Sequence, residues 1–125
     1  MTPQLVYGTV DTNLSVQETE ENTGEKVMEP TTAARLRAYM ESTARFGTAR
    51  IGAPQNCVSG IKTGTAQTGV YDENGEEIEN YWYAGYICNA QEEPLYTLVV
   101  LEETASEMHV PQAFRKIGEA LVDFN

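Results

Sequence analysis

Apolar residues recur along the chain at two different spacings, one helical and one alternating. After Pro30, the residues Ala33, Leu36, Met40 and Ala44 fall on one helical face until Gly47 offers a stop, which predicts a helix over Pro30 to Phe46. The same period returns after Pro111, where Phe114, Ile117, Leu121 and Phe124 share a face and Arg115, Lys116 and Glu119 fall mainly elsewhere, so a closing helix should pack back on a sheet. Gly118 inside that helix costs about 1 kcal/mol against alanine and suits close packing.

Between and before the helices the pattern is that of strands. Leu5 to Val10 alternates weakly and carries β-branched and aromatic residues, which predicts a short N-terminal strand, and the acidic stretch Glu18 to Glu29, with Asn22-Thr23-Gly24 as a turn signal, reads as a solvated loop or hairpin tip. Cys57 to Tyr71 is rich in Val, Ile, Thr and Gly and runs into Asp72-Glu73-Asn74-Gly75, where Asn-Gly predicts a hairpin. A second strand follows from Glu79 to Cys88, with Tyr81, Trp82, Tyr83 and Tyr86 divided between two faces and Gly85 admitting a close backbone approach. After a turn at Gln91 to Pro94, Leu95 to Leu101 is apolar on both faces, the pattern of a central strand. The expected class is α+β: a three-stranded antiparallel meander with an N-terminal strand and packing helices, in one domain over residues 1–125.

Composition narrows the partners. Eight Lys plus Arg against nineteen Asp plus Glu give a net charge of −11, which repels a phosphate backbone, so no nucleic-acid partner is expected. No run approaches a transmembrane helix, and nothing at Met1 reads as a signal peptide. Two cysteines are not a disulfide framework. A symmetric hairpin at Asn74-Gly75 sets Cys88 opposite Ile61 and leaves Cys57 about 13 Å away, so Cys57 and Cys88 are not expected to form a bridge. His109 is the only histidine and has no companion ligands, so neither a metal nor another cofactor is implied; it reads as a loop residue near a helix start. Ser42 and Ser106 lack a nucleophile's context and read as ordinary polar positions.

One segment carries chemistry. Ile61-Lys62-Thr63-Gly64-Thr65-Ala66-Gln67 puts a cation, two hydroxyls and a glycine on a strand, with Lys62 and Gly64 on one face and Thr63 and Thr65 on the other. The Lys62 ammonium suits an anionic carboxylate, Gly64 leaves its face open, and strand backbone groups can bond an extended peptide added along the edge.

Lys-Thr-Gly is one of the motifs of penicillin-binding proteins and class A β-lactamases. The segment resembles the Gly-Lys-Thr-Gly-Thr-Ala-Gln of penicillin-binding transpeptidases, with Ile61 in place of the first glycine. Tyr81-Trp82-Tyr83-Ala84-Gly85-Tyr86 resembles their next strand, Pro94 to Glu102 their last strand, Pro111 to Ile117 the start of their terminal helix, and Glu29 to Ala49 the helix and Gly-Thr turn before Lys-Thr-Gly. The resemblance, closest in style to the class B enzymes, runs from Met28 to the C-terminus and weakly includes the first strand. It implies the C-terminal part of a D,D-transpeptidase domain, in which an acyl-serine forms on a D-alanyl-D-alanine stem peptide and β-lactams imitate that donor. Carried over by motif, Lys62 and Thr63 would line the cleft, Gly64 would keep it clear, and Thr65 would help hold the carboxylate.

The departures shape the expectation further. The sequence holds no Ser-x-Asn, and its one Ser-x-x-Lys, Ser59 to Lys62, lies in a strand pattern, where residues three apart point to opposite faces. The expectation is therefore a fragment that supplies the cleft strand and no nucleophile, from an extracytoplasmic, membrane-anchored parent, with an open edge on the last strand that favours self-association. The alternative is a stand-alone module that binds a peptide or carboxylate without chemistry.

Overall fold

A computed structural model describes residues 7–19, 25–103 and 109–123. The chain divides into two compact units, Met1–Ala33 and Ala34–Asn125. In the first, strands β1 (Gly8–Val10) and β2 (Val16–Glu18) pair antiparallel, Gly8 opposite Glu18 and Val10 opposite Val16. A hairpin therefore stands where one strand was expected; Asp11 closes it, a turn that the hydrophobic pattern alone does not mark. Leu5 and Val6, Asn22-Thr23-Gly24, Ser106 and Phe124 lie outside the described residues.

The second unit takes in most of helix α1 (Pro30–Phe46), a 3₁₀ turn (Arg50–Gly52), strands β3 (Ser59–Tyr71), β4 (Glu77–Cys88) and β5 (Pro94–Glu102), and helix α2 (Val110–Asp123). The sheet order is β3-β4-β5, all antiparallel. The α+β meander is thus as expected, but the central strand is β4. Leu95 to Leu101 is an outer strand whose core face alone is packed: Tyr96, Leu98 and Val100 are half-buried, whereas Leu95, Val99 and Leu101 are exposed. Apolarity on both faces does not by itself say how many neighbours a strand has.

One turn device closes the three hairpins among the described residues. The Oδ1 atoms of Asp11, Asp72 and Asn89 each accept the backbone N–H groups two and four residues on, at 2.8–3.0 Å. In each case the residue three positions on has positive φ: Leu14 at 64°, Gly75 at 82° and Glu92 at 62°. This is a type I turn followed by a left-handed residue, and only Gly75 is the type that adopts it without strain. Replacing Glu92 with glycine should therefore raise stability by about 0.5–1 kcal/mol, read as an increased denaturant midpoint.

The β3-β4 register differs from the symmetric hairpin. Ile61 sits opposite Gly85, and the Cys88 N–H donates to Val58 O at 2.9 Å, so Cys88 is near Cys57 in the ladder. An irregularity between Gln67 and Tyr71 adds residues to β3; there Thr68 Oγ1 donates to Ile78 O at 2.6 Å and Gly69 N–H, at φ 72°, donates to Glu77 Oε1 at 2.9 Å. Both thiols are free, and burial, the leading cause, raises the pKa of each.

The core lies between the sheet and α2. Ile61, Tyr83, Ile87, Val110 and Phe114 are buried there with Ala44 and Ala49, and the Phe114 ring meets that of Tyr83 at 5.8 Å, tilted by 52°. The buried stripe of α2 is Val110, Pro111, Phe114 and Gly118, with Val122 packed beside it; Ile117, expected on this face, is 44% exposed. Gly118 allows the close approach: a Cβ there would come within 2.5 Å of the Pro54 ring and 3.0 Å of Ile87 Cδ1.

Glu102, at the end of β5, caps α2. Its Oε2 accepts the N–H groups of His109 at 2.6 Å and Val110 at 3.0 Å, and its Oε1 lies 2.9 Å from His109 Nδ1. Desolvation raises the pKa of this carboxyl, but the bonds from His109 and Val110 outweigh it and hold the pKa below the ordinary value. A carboxylate with a depressed folded pKa contributes stability above its unfolded pKa, and that contribution is lost as pH falls through the folded value. The wild-type melting temperature should therefore fall below about pH 4.5, and Glu102→Gln should flatten that part of the profile in a pH series of thermal melts.

Candidate functional site

The strand-forming run from Ser59 makes β3 an outer strand, with β4 as its only neighbour among the described residues. Thr63 pairs with Tyr83, Gly64 with Trp82, and Thr65 with Tyr81. Alternation then separates the four candidate residues. Thr63 and Thr65 share the face of Ile61, Tyr81 and Tyr83, whereas Lys62 and Gly64 share the face of Trp82 and Ala84.

A groove of about 210 Å³ is bordered by Thr48, Thr63, Gly64, Thr65, Tyr81 and Tyr83, together with Trp82. Its floor is built by a contact between distant segments. The Gly47-Thr48 turn after α1 brings Thr48 Oγ1 to 3.1 Å from Thr63 Oγ1, and Tyr83 OH donates to Thr48 O at 3.3 Å. Ala49, next in the chain, is fully buried and anchors the turn. The Thr65 hydroxyl has no hydrogen-bond partner among the described residues, which leaves it available at the groove. Burial pushes up the Tyr83 phenol pKa, and a bond to Glu79, 3.1 Å away, pushes up that of Tyr81, so both rings stay neutral as they border the groove.

Lys62 does not border the groove. It is exposed on the other face, and its Nζ donates to Thr63 O. Gly64 is exposed too, and a Cβ there would meet only Trp82 Cβ, at an ordinary 3.5 Å, so packing does not require glycine at this position. Ser59 is buried on the core face opposite Ile87, away from the face of Lys62. The aromatic series divides as expected: Tyr83 is buried, Trp82 is 38% exposed, and Tyr86 OH donates to Glu41 Oε1 on α1 at 2.8 Å. Burial first, and then that bond, push the Tyr86 phenol pKa up to about 12, against the lowering effect of Arg37.

Thr48 is the site residue that the strand pattern alone does not reveal. The signal available was the Gly47-Thr48-Ala49 turn, which the resemblance placed before the Lys-Thr-Gly strand without giving Thr48 a role.

The penicillin binding protein transpeptidase domain family model matches residues 1–119. The chain belongs to this family. The match takes in α1, most of α2 and the three strands of the described β3-β4-β5 sheet, together with the N-terminal hairpin. No curated protein matches the chain. For this transpeptidase domain, the Lys62–Thr65 segment lies on an outer strand, beside a groove built partly from another element.

Proposed function

We propose that the chain carries the cleft strand of a penicillin-binding D,D-transpeptidase, with the outer edge of β3 receiving the extended D-alanyl-D-alanine end of a peptidoglycan stem peptide or the β-lactam that imitates it. The observation that carries this reading is the unpaired edge of β3 in the described sheet, with Thr63, Gly64 and Thr65 beside a groove. An outer strand has backbone groups to offer an added peptide, and a hydroxyl at its rim suits a terminal carboxylate. Thr65 takes the role of donor to that carboxylate, Thr63 is held by Thr48, Gly64 leaves the approach clear, and Lys62 supplies positive charge at the strand.

The same reading gives this chain no nucleophile. Acyl transfer through the serine of a Ser-x-x-Lys motif needs that serine within reach of the motif's lysine. The only Ser-x-x-Lys pair, Ser59 and Lys62, lies on opposite faces of a strand. The acylating serine belongs to a helical Ser-x-x-Lys in the parent enzyme, which acts outside the cytoplasmic membrane. No helix among the described residues is long and apolar enough to cross a membrane.

Titration of the isotope-labelled chain with D-alanyl-D-alanine, followed through its amide resonances, tests the cleft assignment. The largest shifts should fall on Lys62 to Gln67, and Thr65→Val should weaken binding several-fold. Shifts confined to other elements, or no saturable shifts, would refute it.

Self-association through β5 belongs to the same reading. An antiparallel pair of β5 strands centred on Leu98 sets Leu95 against Leu101, Tyr96 against Val100 and Thr97 against Val99, a register that is apolar at nearly every position. Light scattering should give a mass that rises with concentration, and Val99→Lys should suppress the rise; a constant monomer mass would contradict it.

A further inference from the structure

The chain is acidic, so an exposed guanidinium has many carboxylates to choose from. Arg45, Arg50 and Arg115 nevertheless line one cavity of about 240 Å³, with Gln55, Cys57 and Ser59 among its other walls and no Asp or Glu lining it. The three arginines come from separate elements: the last turn of α1, the 3₁₀ turn and α2. None of the lining residues belongs to the groove beside Thr63 and Thr65.

The arginines are not equivalent. Arg115 is fixed, with Nε donating to Ala53 O at 3.2 Å and its guanidinium also donating to Ile51 O. The guanidinium groups of Arg45 and Arg50 have no hydrogen-bond or ion-pair partner among the described residues, where the ion pairs are Lys26–Glu29, Arg37–Glu41 and His109–Glu102. A position in the last turn of α1 suits the Arg45 cation through the helix dipole, but that does not account for Arg50 or for the cavity. Glu119, on the neighbouring helix, has its Oε1 engaged by the Gln55 N–H at 3.1 Å.

The walls are also well fixed. A Cβ on Gly52 would lie 2.6 Å from the Tyr83 ring and 2.9 Å from Pro111 Cα, so the turn carrying Arg50 packs directly on the core. Pro54 is similarly pressed on Gly118. Ser59, 6% exposed, lines the cavity and has no hydrogen-bond partner for its hydroxyl among the described residues.

We infer that this cavity binds a phosphate-class dianion between Arg45 and Arg50, with Ser59 Oγ as a further donor. Two uncommitted guanidinium forks match two negative charges, and a tetrahedral oxyanion can accept from donors converging out of different directions, whereas a single carboxylate is planar and monovalent. The site is independent of the transpeptidase reading and would stand if that reading failed.

Calorimetric titration of the whole chain with inorganic phosphate, at ionic strength held constant with sodium chloride, tests the inference. Saturable binding is expected, weakened at least tenfold in the Arg45→Gln/Arg50→Gln double variant and unchanged in the charge-matched Arg35→Gln/Lys116→Gln control. Circular dichroism confirms that each variant is folded. A parallel titration with glycerol phosphate distinguishes the source: comparable binding assigns an esterified phosphate, and binding of the inorganic ion alone assigns free phosphate. Absence of saturable binding to both, equal loss in the two double variants, or acetate binding as tightly as phosphate would overturn the inference.

Discussion

Replacing Gly85 with alanine is expected to destabilise the second unit by about 3 kcal/mol or more, seen as a large fall in the urea midpoint. Gly85 is buried in the central strand opposite Ile61, and a Cβ there would fall on Gly60 O of the neighbouring strand. The obstruction is backbone, so no side chain can swing aside; β3 and β4 would have to separate at the point where the sheet meets its core. Gly64→Ala is the matched control in the same ladder. Its nearest new contact is Trp82 Cβ at 3.5 Å, so its effect should stay within about 0.5 kcal/mol. If the two variants unfolded at the same denaturant concentration, the close approach at Gly85 would not be limiting.

Phe114→Ala should cost about 3–5 kcal/mol, the range for removing a fully buried aromatic ring. Phe114 is 0% exposed and joins α2 to the sheet through Tyr83, with Ile61, Ile87 and Val110 in the same cluster. Loss of the ring leaves a cavity between two elements that the Gly118 and Gly52 contacts hold close, so collapse cannot readily fill it. Ile117→Ala, three residues along the same helix, removes a 44% exposed side chain and should cost much less. Equal costs for the two variants would contradict the observed facing of α2.

The contrast between those two positions marks where the sequence was legible. Helical spacing located both helices, yet Phe114 and Ile117 both fit a broad apolar stripe, and only packing against Pro54 and Ile87 turns the helix toward Gly118. Asn74-Gly75 announced the β3-β4 hairpin, but the register depended on the irregularity at Thr68 to Val70, where polar side chains hold the extra residues. Leu95 to Leu101 looked central because it is apolar on both faces; it is an outer strand in the described sheet because strand order depends on partners that one strand's pattern does not encode. The alternation of Lys62 and Thr63 across the two faces of β3 was fully predictable from a period of two. The meeting of Thr48 with Thr63 was not, since it depends on how the turn after α1 packs.

We propose that this chain of the transpeptidase family supplies a cleft strand and no acylating serine, and the intact mass of the chain after incubation with a reactive penicillin tests that proposal most directly. The mass should be unchanged, because Ser59 is buried on the face opposite Lys62. A gain of one drug mass that disappears in Ser59→Ala would contradict the account.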